Sequence, residues 1–411
     1  MDVTHLIAKR IKQTNISKSN VSSRIIKIAV LAVAIGVTSI LIALITGRGL
    51  QKAIANKTAA FSGHLIISTF ENNSSQLSLN PFIIDDNFLS IIDNLNNIKN
   101  YQKVAYKAGL VKYKNNFEGI VFKGIDSSFD QSIFSEFLIN GRFINLNDSK
   151  TKEIVISKYL SNRLDLKIGD QPIAYFKKDN SQSIPNQRKY KVVGIYESDF
   201  SDFDEIYVFG AIDQIRILNG WFNNQVGSIE VFLNNSDNDI LTANKLYNNL
   251  PSEIDVITLK SKYANIFQWI SLFDLNILII LLIMLFVGVI NIATALLILI
   301  FERSSMIGML KSIGAKDFQI QKIFMWNGLQ IIIKGLFYGN FLALGFYFSQ
   351  KYLKWIKLDP KTYYVSSAPV ELDFVEWSLI NFSVIFVCLL LLWFPTKIIS
   401  TMSPSKNIRK G

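Results

Sequence analysis

Residues 275–316 read LNILIILLIMLFVGVINIATALLILIFERSSMIGMLKSIGAK. Leu275 to Phe301 is an apolar run of 27 residues without a charge. About 20 helical residues cross the hydrocarbon core of a bilayer, so this run is long enough to span one. It ends abruptly at Glu302-Arg303, and a short basic segment leads into a second run, Ile323 to Ser349, interrupted only by Lys334. Two more such runs lie further out, Ile28 to Gly47 and Trp377 to Phe394. The expected fold is therefore an α-helical membrane protein with four transmembrane helices, at 28–47, 267–301 (with an amphipathic lead-in), 323–349 and 377–394.

The composition fits a divided chain. Half of the 411 residues are hydrophobic, yet 18% are charged, and the two populations are segregated. Residues 48–266 alternate short polar and apolar runs and carry 24 basic and 24 acidic residues, so the net charge of +11 comes entirely from the rest of the chain. This stretch reads as a large extracytoplasmic α+β domain. Basic residues near span ends are retained on the cytoplasmic side. They concentrate in the tail 1–27 (Lys9, Arg10, Lys12, Lys18, Arg24, Lys27), the loop 302–322 (Arg303, Lys311, Lys316, Lys322) and the tail 395–411 (Lys397, Lys406, Arg409, Lys410), whereas the loop 350–376 is balanced. Both termini are expected in the cytoplasm, with the large domain outside. The long polar lead before Ile28 argues for an uncleaved anchor rather than a secretory signal.

Within the outer domain, strands are expected at His64–Thr69, Val104–Tyr113 and Glu118–Gly124, and a helix over Asp85–Ile98. A second part, 125–227, contributes a strand at Glu153–Ser157, a helix at Lys158–Leu164, and strands at Pro172–Phe176 and Tyr190–Tyr196. The chain then returns through Ser228–Leu233, the helix Asp239–Leu250 and Asp255–Leu259, which makes 125–227 look inserted. Tyr263–Asp274 reads as an amphipathic helix running straight into the second span.

Catalytic chemistry is missing. No G-x-x-x-x-G-K-[ST] phosphate loop and no G-x-S-x-G elbow occurs. With only His5, His64 and Cys388, no metal constellation can be assembled, and the three are read as solvated or packing residues. Any energy source has to come from a partner.

The segment Phe301-Glu302-Arg303-Ser304-Ser305-Met306-Ile307-Gly308-Met309-Leu310-Lys311-Ser312-Ile313-Gly314-Ala315-Lys316 resembles the E-R-x-x-x-I-G-x-L-[KR]-x-[IL]-G-A coupling segment of the FtsX-like/MacB-like permease superfamily of ABC transporters. Phe394-Pro395 followed by Ser403-Pro404-Ser405 echoes the closing motif of the same superfamily. Ile7-Ala8-Lys9-Arg10, Ala59-Ala60-Phe61-Ser62-Gly63-His64-Leu65-Ile66-Ile67 and Tyr363-Tyr364-Val365-Ser366-Ser367-Ala368-Pro369-Val370-Glu371-Leu372 resemble the lipoprotein-releasing branch. Ser304-Ser305 departs from the further charged residues common in relatives. The resemblance implies that Glu302, Arg303, Ile307, Gly308, Leu310, Lys311 and Gly314 form the contact with an ABC ATPase, which would hold ATP and magnesium. It also implies a second permease subunit, a lipoprotein substrate drawn from the outer leaflet of the bacterial inner membrane, a periplasmic carrier and no nucleic acid. The outer domain would consist of a porter-like half, 60–124 with 228–262, and the inserted half 125–227.

Apolar positions Ile42 and Ile45 on the first span and Phe267 and Ile270 before the second suit a wall for acyl chains, although such stripes also serve helix packing. Tyr363 and Tyr364 match an aromatic pair that contacts lipoprotein in that branch, and interfacial aromatic belts are the alternative. Lys334 would cost about 2.5–3.5 kcal/mol at a membrane centre, which favours snorkelling to the surface. Gly328, Gly335, Gly339 and Gly345 suggest close helix approach. Two other functions compete: a mechanical signalling subunit that activates a periplasmic cell-wall hydrolase, and efflux of a small amphiphile or peptide.

Overall fold

The structure is a computed structural model that describes residues 20–75, 77–148, 150–177 and 185–401. The tail residues up to Ser19, with His5 and Ile7–Arg10, and the closing Ser403-Pro404-Ser405 lie outside these. The chain divides into two units. One is helical, built from residues up to Lys52, Ile270–Lys357 and the chain from Ala368; the other is α/β, built from Ala53–Trp269 and Leu358–Ser367.

Among the described residues, four helices are long and apolar enough to cross a membrane, and they fall on the four apolar runs: Arg24–Ser62, Ala264–Glu302, Asp317–Leu353 and Phe374–Ser400. The first begins at Asn20 and runs unbroken to Ser62, 43 residues or about 65 Å, roughly twice a bilayer core. Its extension past Gly47 is rich in Ala, Gln, Lys and Leu, which favour helix.

In the helical unit, Val33, Val37, Leu41 and Ile45 pack with Ile292, Leu296, Ile300, Ile307, Phe324, Ile332, Leu336, Cys388 and Leu392 in one buried cluster. Cys388 is thus a packing residue. Of the four glycines on the third long helix, three permit close approach. A Cβ on Gly335 would lie 2.5 Å from Val33, one on Gly339 2.8 Å from Val37, and one on Gly328 2.7 Å from Leu392, whereas Gly345 faces open space. Lys334 is on the exposed side of that helix.

Among the described residues, the α/β unit has thirteen strands: β1 Leu65–Thr69, β2 Phe82–Ile83, β3 Ile98–Tyr113, β4 Asn116–Ile125, β5 Leu138–Gly141, β6 Glu153–Ser157, β7 Ile173–Phe176, β8 Asn186–Lys189, β9 Lys191–Tyr196, β10 Tyr207–Ala211, β11 Gln225–Val226, β12 Ser228–Leu233 and β13 Ile254–Thr258. Eleven of them form one mixed sheet in the order β13-β1-β12-β3-β4-β10-β6-β9-β5, with β7 paired to β3 and β8 to β7; β2 and β11 pair separately. The strands of residues 125–227 do not fold apart. They continue the sheet through the parallel pairing of β10 with β4. β10, a fully buried Tyr-Val-Phe-Gly-Ala run, and the helix Ile212–Asn219 after it are absent from the sequence-based expectation. The helix expected to reach Ile98 stops at Asp93, where Asn94 caps it and β3 begins four residues later.

Alternation along the strands gives the sheet two different faces. One carries Leu65, Ile67, Ala105, Phe122, Ile154, Val208, Ile229 and Val231, packed with Phe88, Ile92, Leu160, Leu164, Ile215 and Leu246 from the helices. On the other, Tyr106 of β3 stands opposite Lys123 of β4, Gln102 of β3 opposite Glu230 of β12, and Phe209 of β10 opposite Lys123. Phe61, one residue from the end of the first long helix, lies on this second face in a nest of rings. It stacks on Phe203 at 4.7 Å and meets Phe134, Phe137, Tyr196 and Phe209 at 5.3–6.1 Å.

The glycine geometry makes a prediction. Gly339→Leu forces side-chain atoms into Val37 and should lower stability by about 1–3 kcal/mol, the usual cost of overpacking. Gly345→Leu should be neutral. Thermal unfolding of the two variants in one detergent separates them, and equal midpoints would contradict the packing.

Candidate functional site

The segment between the second and third long helices is a hairpin of helix and turn. The helix Ala264–Glu302 ends at Glu302, Arg303 leaves helical geometry at φ −102°, ψ 21°, and Ser304–Ser312 forms a short helix. It closes with a Schellman turn: Ala315 N donates to Leu310 O at 3.0 Å and Gly314 N to Lys311 O at 3.0 Å, with Gly314 at φ +96°. Only glycine takes that conformation without strain, so the Leu-Lys-x-x-Gly-Ala pattern at Leu310–Ala315 is a helix-stop signal in its own right. The Lys311 ammonium donates to Ile399 O at 2.7 Å and pairs with Asp317 at 2.8 Å, tying the segment to the C-terminal 3-10 turn Lys397–Thr401 and to the start of the third helix.

The expected contact residues divide by exposure. Ile307 and Gly308 are buried; Leu310 and Lys311 are half-buried, as is Arg303; Glu302 and Gly314 are exposed. Met306, Leu310 and Trp326 pack on Ile323. The outward apolar residues are Met309, Ile313 and Phe318, with Ile313 78% exposed. Most of the motif therefore builds the segment, and the surface it presents comes from Ile313, at the [IL] position of the pattern, together with Met309 and Phe318, which the pattern leaves open.

The apolar positions on the first and second helices are also divided. Ile45 and Ile270 are buried, while Ile42 and Phe267 are half-buried. Open apolar surface lies elsewhere: Ile28, Leu31 and Ile35 on the first helix, and a broad face of the second through Leu275, Leu278, Leu282, Phe286 and Ile290. At the opposite end of the helical unit from the coupling segment there is a polar collar absent from the sequence-based expectation. The Arg48 guanidinium reaches Glu376 at 2.7 Å and Asp274 at 3.1 Å, Gln51 donates to Asp274 at 3.0 Å, and Lys52 reaches Glu371 at 2.5 Å. Arg48, Asp274 and Glu376 are each the first residue beyond an apolar run, and that placement is the signal that could have found them.

Tyr363 and Tyr364 belong to the α/β unit and do not act as a pair. Tyr363 is 37% exposed. Tyr364, at φ +58°, stacks on Phe200 at 4.4 Å and meets Trp269 edge-on at 5.8 Å. Its carbonyl accepts from Lys57 Nζ at 3.2 Å; the same ammonium donates to Ser198 O at 2.7 Å and pairs with Asp199 at 3.6 Å. Tyr364 is thus an anchor that holds the loop Leu358–Ser367 against residues 198–200. Below that loop, burial pushes the Asp204 carboxyl up to about 6, although it accepts hydrogen bonds from Ser198 N and Oγ that lower it.

Two family models match the chain, the MacB-like periplasmic core domain over residues 28–246 and the FtsX-like permease C-terminal over 278–404. The chain belongs to the FtsX-like/MacB-like superfamily of ABC transporter permeases. Over 404 residues it is 19% identical to the lipoprotein-releasing system transmembrane protein LolE of Haemophilus influenzae, covering 95% of each chain. It is 20% identical to LolC of Neisseria meningitidis serogroup B, covering 94% of each. Among solved structures, the periplasmic region of MacB from Actinobacillus actinomycetemcomitans aligns at a TM-score of 0.35 and 12% identity, over 49% of this chain and 91% of that one.

Asp204 makes the loop pH-sensitive. A carboxyl near 3.9 when unfolded and about 6 when folded stabilises the fold in its protonated form. That contribution is complete below about pH 4 and is lost as pH rises through 6, by up to about 3 kcal/mol. Asp204→Asn keeps the neutral form, so its thermal midpoint should gain on wild type between pH 4 and 7.5. Parallel pH profiles would exclude the effect.

Proposed function

We propose that this chain is the membrane subunit of an ABC transporter that releases lipoproteins from the outer leaflet of the bacterial inner membrane to a periplasmic carrier, driven by a partner ATPase. The observation that carries the reading is similarity to lipoprotein-releasing system proteins along nearly the whole of both chains. On this reading the four long helices are four spans. The basic residues at 302–322 and near both termini support a cytoplasmic location for those segments. The α/β unit then lies outside.

Met309, Ile313 and Phe318 form the apolar surface that the ATPase covers, and Ile307, Leu310, Lys311 and Gly314 hold that surface in shape. The open apolar face of the second helix, Leu275 to Ile290, supports contact with acyl chains, because such a wall needs no directional partners. Ile42 and Phe267 are half-buried, and Tyr363 remains an accessible aromatic for the lipoprotein. A second permease copy or paralogue completes the pathway. The chain itself supplies no catalytic group; ATP and magnesium belong to the partner.

Affinity purification of the tagged protein, followed by mass spectrometry, tests the reading. An ATPase together with triacylated lipoproteins is expected. An ATPase with a wall hydrolase and no lipoprotein would replace lipoprotein release with signalling. In the same experiment Ile313→Asp should reduce ATPase recovery at least tenfold while the permease still accumulates, and unchanged recovery would remove Ile313 from the contact.

A further inference from the structure

The second face of the sheet in the α/β unit holds a pair of full charges inside the protein. The side chains of Lys123 and Glu230 are each 1% exposed, and Lys123 Nζ lies 2.8 Å from both carboxylate oxygens. Gln102 Nε2 donates to Glu230 Oε2 at 2.5 Å, and the Tyr106 hydroxyl donates to Oε1. The remaining reach of the ammonium goes to the carbonyl oxygen of Phe61, at 2.5 Å. That carbonyl is one of the last four of a 43-residue helix, which have no partner within the helix and carry its negative pole. A lysine is the side chain that satisfies both conditions.

Next to this contact, the Ser62 hydroxyl shares a hydrogen bond with the Tyr263 hydroxyl at 2.8 Å. Tyr263 immediately precedes the helix Ala264–Glu302 and also hydrogen-bonds Tyr207 of β10. The end of the first long helix and the start of the second are therefore fastened to one sheet face by seven polar side chains, from β3, β4, β10, β12 and the two helix boundaries.

A buried pair of this kind adds little net stability over well-packed apolar residues, so stability alone does not account for it. Fixing a unique geometry does. We infer that Lys123 and Glu230 are positioning residues that make the end of the first long helix and the sheet one rigid body, so that movement of that helix is delivered to the outer domain without slack. The part of the inference that concerns transport rests on the proposed function.

The test uses the full chain with its copurified ATPase in proteoliposomes, in a Cys388→Ala background with spin labels at Asn56→Cys and Asn115→Cys, two exposed positions on the helix and on the β3–β4 turn. Without further change, the label distance should be single, narrow and the same with or without ATP and vanadate. In Lys123→Met/Glu230→Leu, which removes both members of the pair, the distribution should broaden. ATP hydrolysis should stay within twofold, while release of a triacylated lipoprotein should fall at least tenfold. Tyr263→Phe, which buries no charge, gives a milder version of the same pattern, about threefold in release, and decides the question if the double variant does not accumulate.

A distribution as narrow as that of the parent would overturn the inference, and so would loss of hydrolysis and release in equal proportion. If the parent complex hydrolyses ATP but releases no lipoprotein, the proposed function fails while the distance measurement still decides the rigid connection.

Discussion

A helix that ends inside a protein must find partners for its last carbonyls, because water cannot reach them. In this chain the first long helix ends at Ser62 on a buried sheet face, and the arrangement of that face follows from the requirement. Lys123 meets the Phe61 carbonyl, Glu230 neutralises Lys123, and Gln102 and Tyr106 satisfy Glu230. Each member answers a need created by the one before it. Burial alone pushes the Lys123 ammonium down, and the adjoining carboxylate opposes that, which keeps the charge where the helix end needs it. The aromatic rings around Phe61 exclude water from the same place and thereby strengthen every contact in it.

A similar arrangement appears between the second and third long helices. The segment 302–316 keeps its shape through a glycine in the left-handed region, a buried isoleucine and a lysine bonded to the 3-10 turn Lys397–Thr401. These features match the quoted pattern, and of the outward residues only Ile313 falls on one of its positions. Ser304 and Ser305, the departure from the pattern, open the short helix, and Ser305 is exposed. A change there alters the surface without disturbing the turn, since none of the Schellman bonds involves those positions.

How much could be read beforehand depended on whether the signal was local. The four long helices followed from uninterrupted apolar runs, and β6, β12 and the helix Lys158–Leu164 fell where alternation and capping placed them. β10 was lost because Tyr-Val-Phe-Gly-Ala is buried on both faces and shows no alternation. The helix expected to reach Ile98 ran long because apolar spacing continued past the Asn-rich turn that ends it. Exposure was not legible at all. Ile45 and Met309 are both apolar residues on helices, and only the packing of distant segments buries the first and leaves the second open. The buried pair did leave a trace: Lys123 stands alone in Gly119-Ile120-Val121-Phe122-Lys123-Gly124-Ile125, and Glu230 alone in Ser228-Ile229-Glu230-Val231-Phe232-Leu233. A single charge inside each of two apolar strands asks for a partner, but its identity depends on strand register, which is set by pairings across more than a hundred residues.

That dependence on register bears on how the chain divides its work. Residues that could interact with something outside it, Met309, Ile313, Tyr363 and the face from Leu275 to Ile290, are apolar, exposed and held by neighbours rather than by their own bonds. The residues with directional bonds, Arg48, Lys57, Lys123, Glu230 and Lys311, all point inward or along the chain, each joining elements far apart in sequence. Apolar contacts tolerate sliding and exchange of partner, whereas a lysine shared between a carboxylate and a helix carbonyl does not. On the proposed function, a protein that changes shape while holding cargo needs both kinds of contact, kept in separate places. The charges would then mark parts that move as one body, and the open apolar surfaces the places where a partner fits.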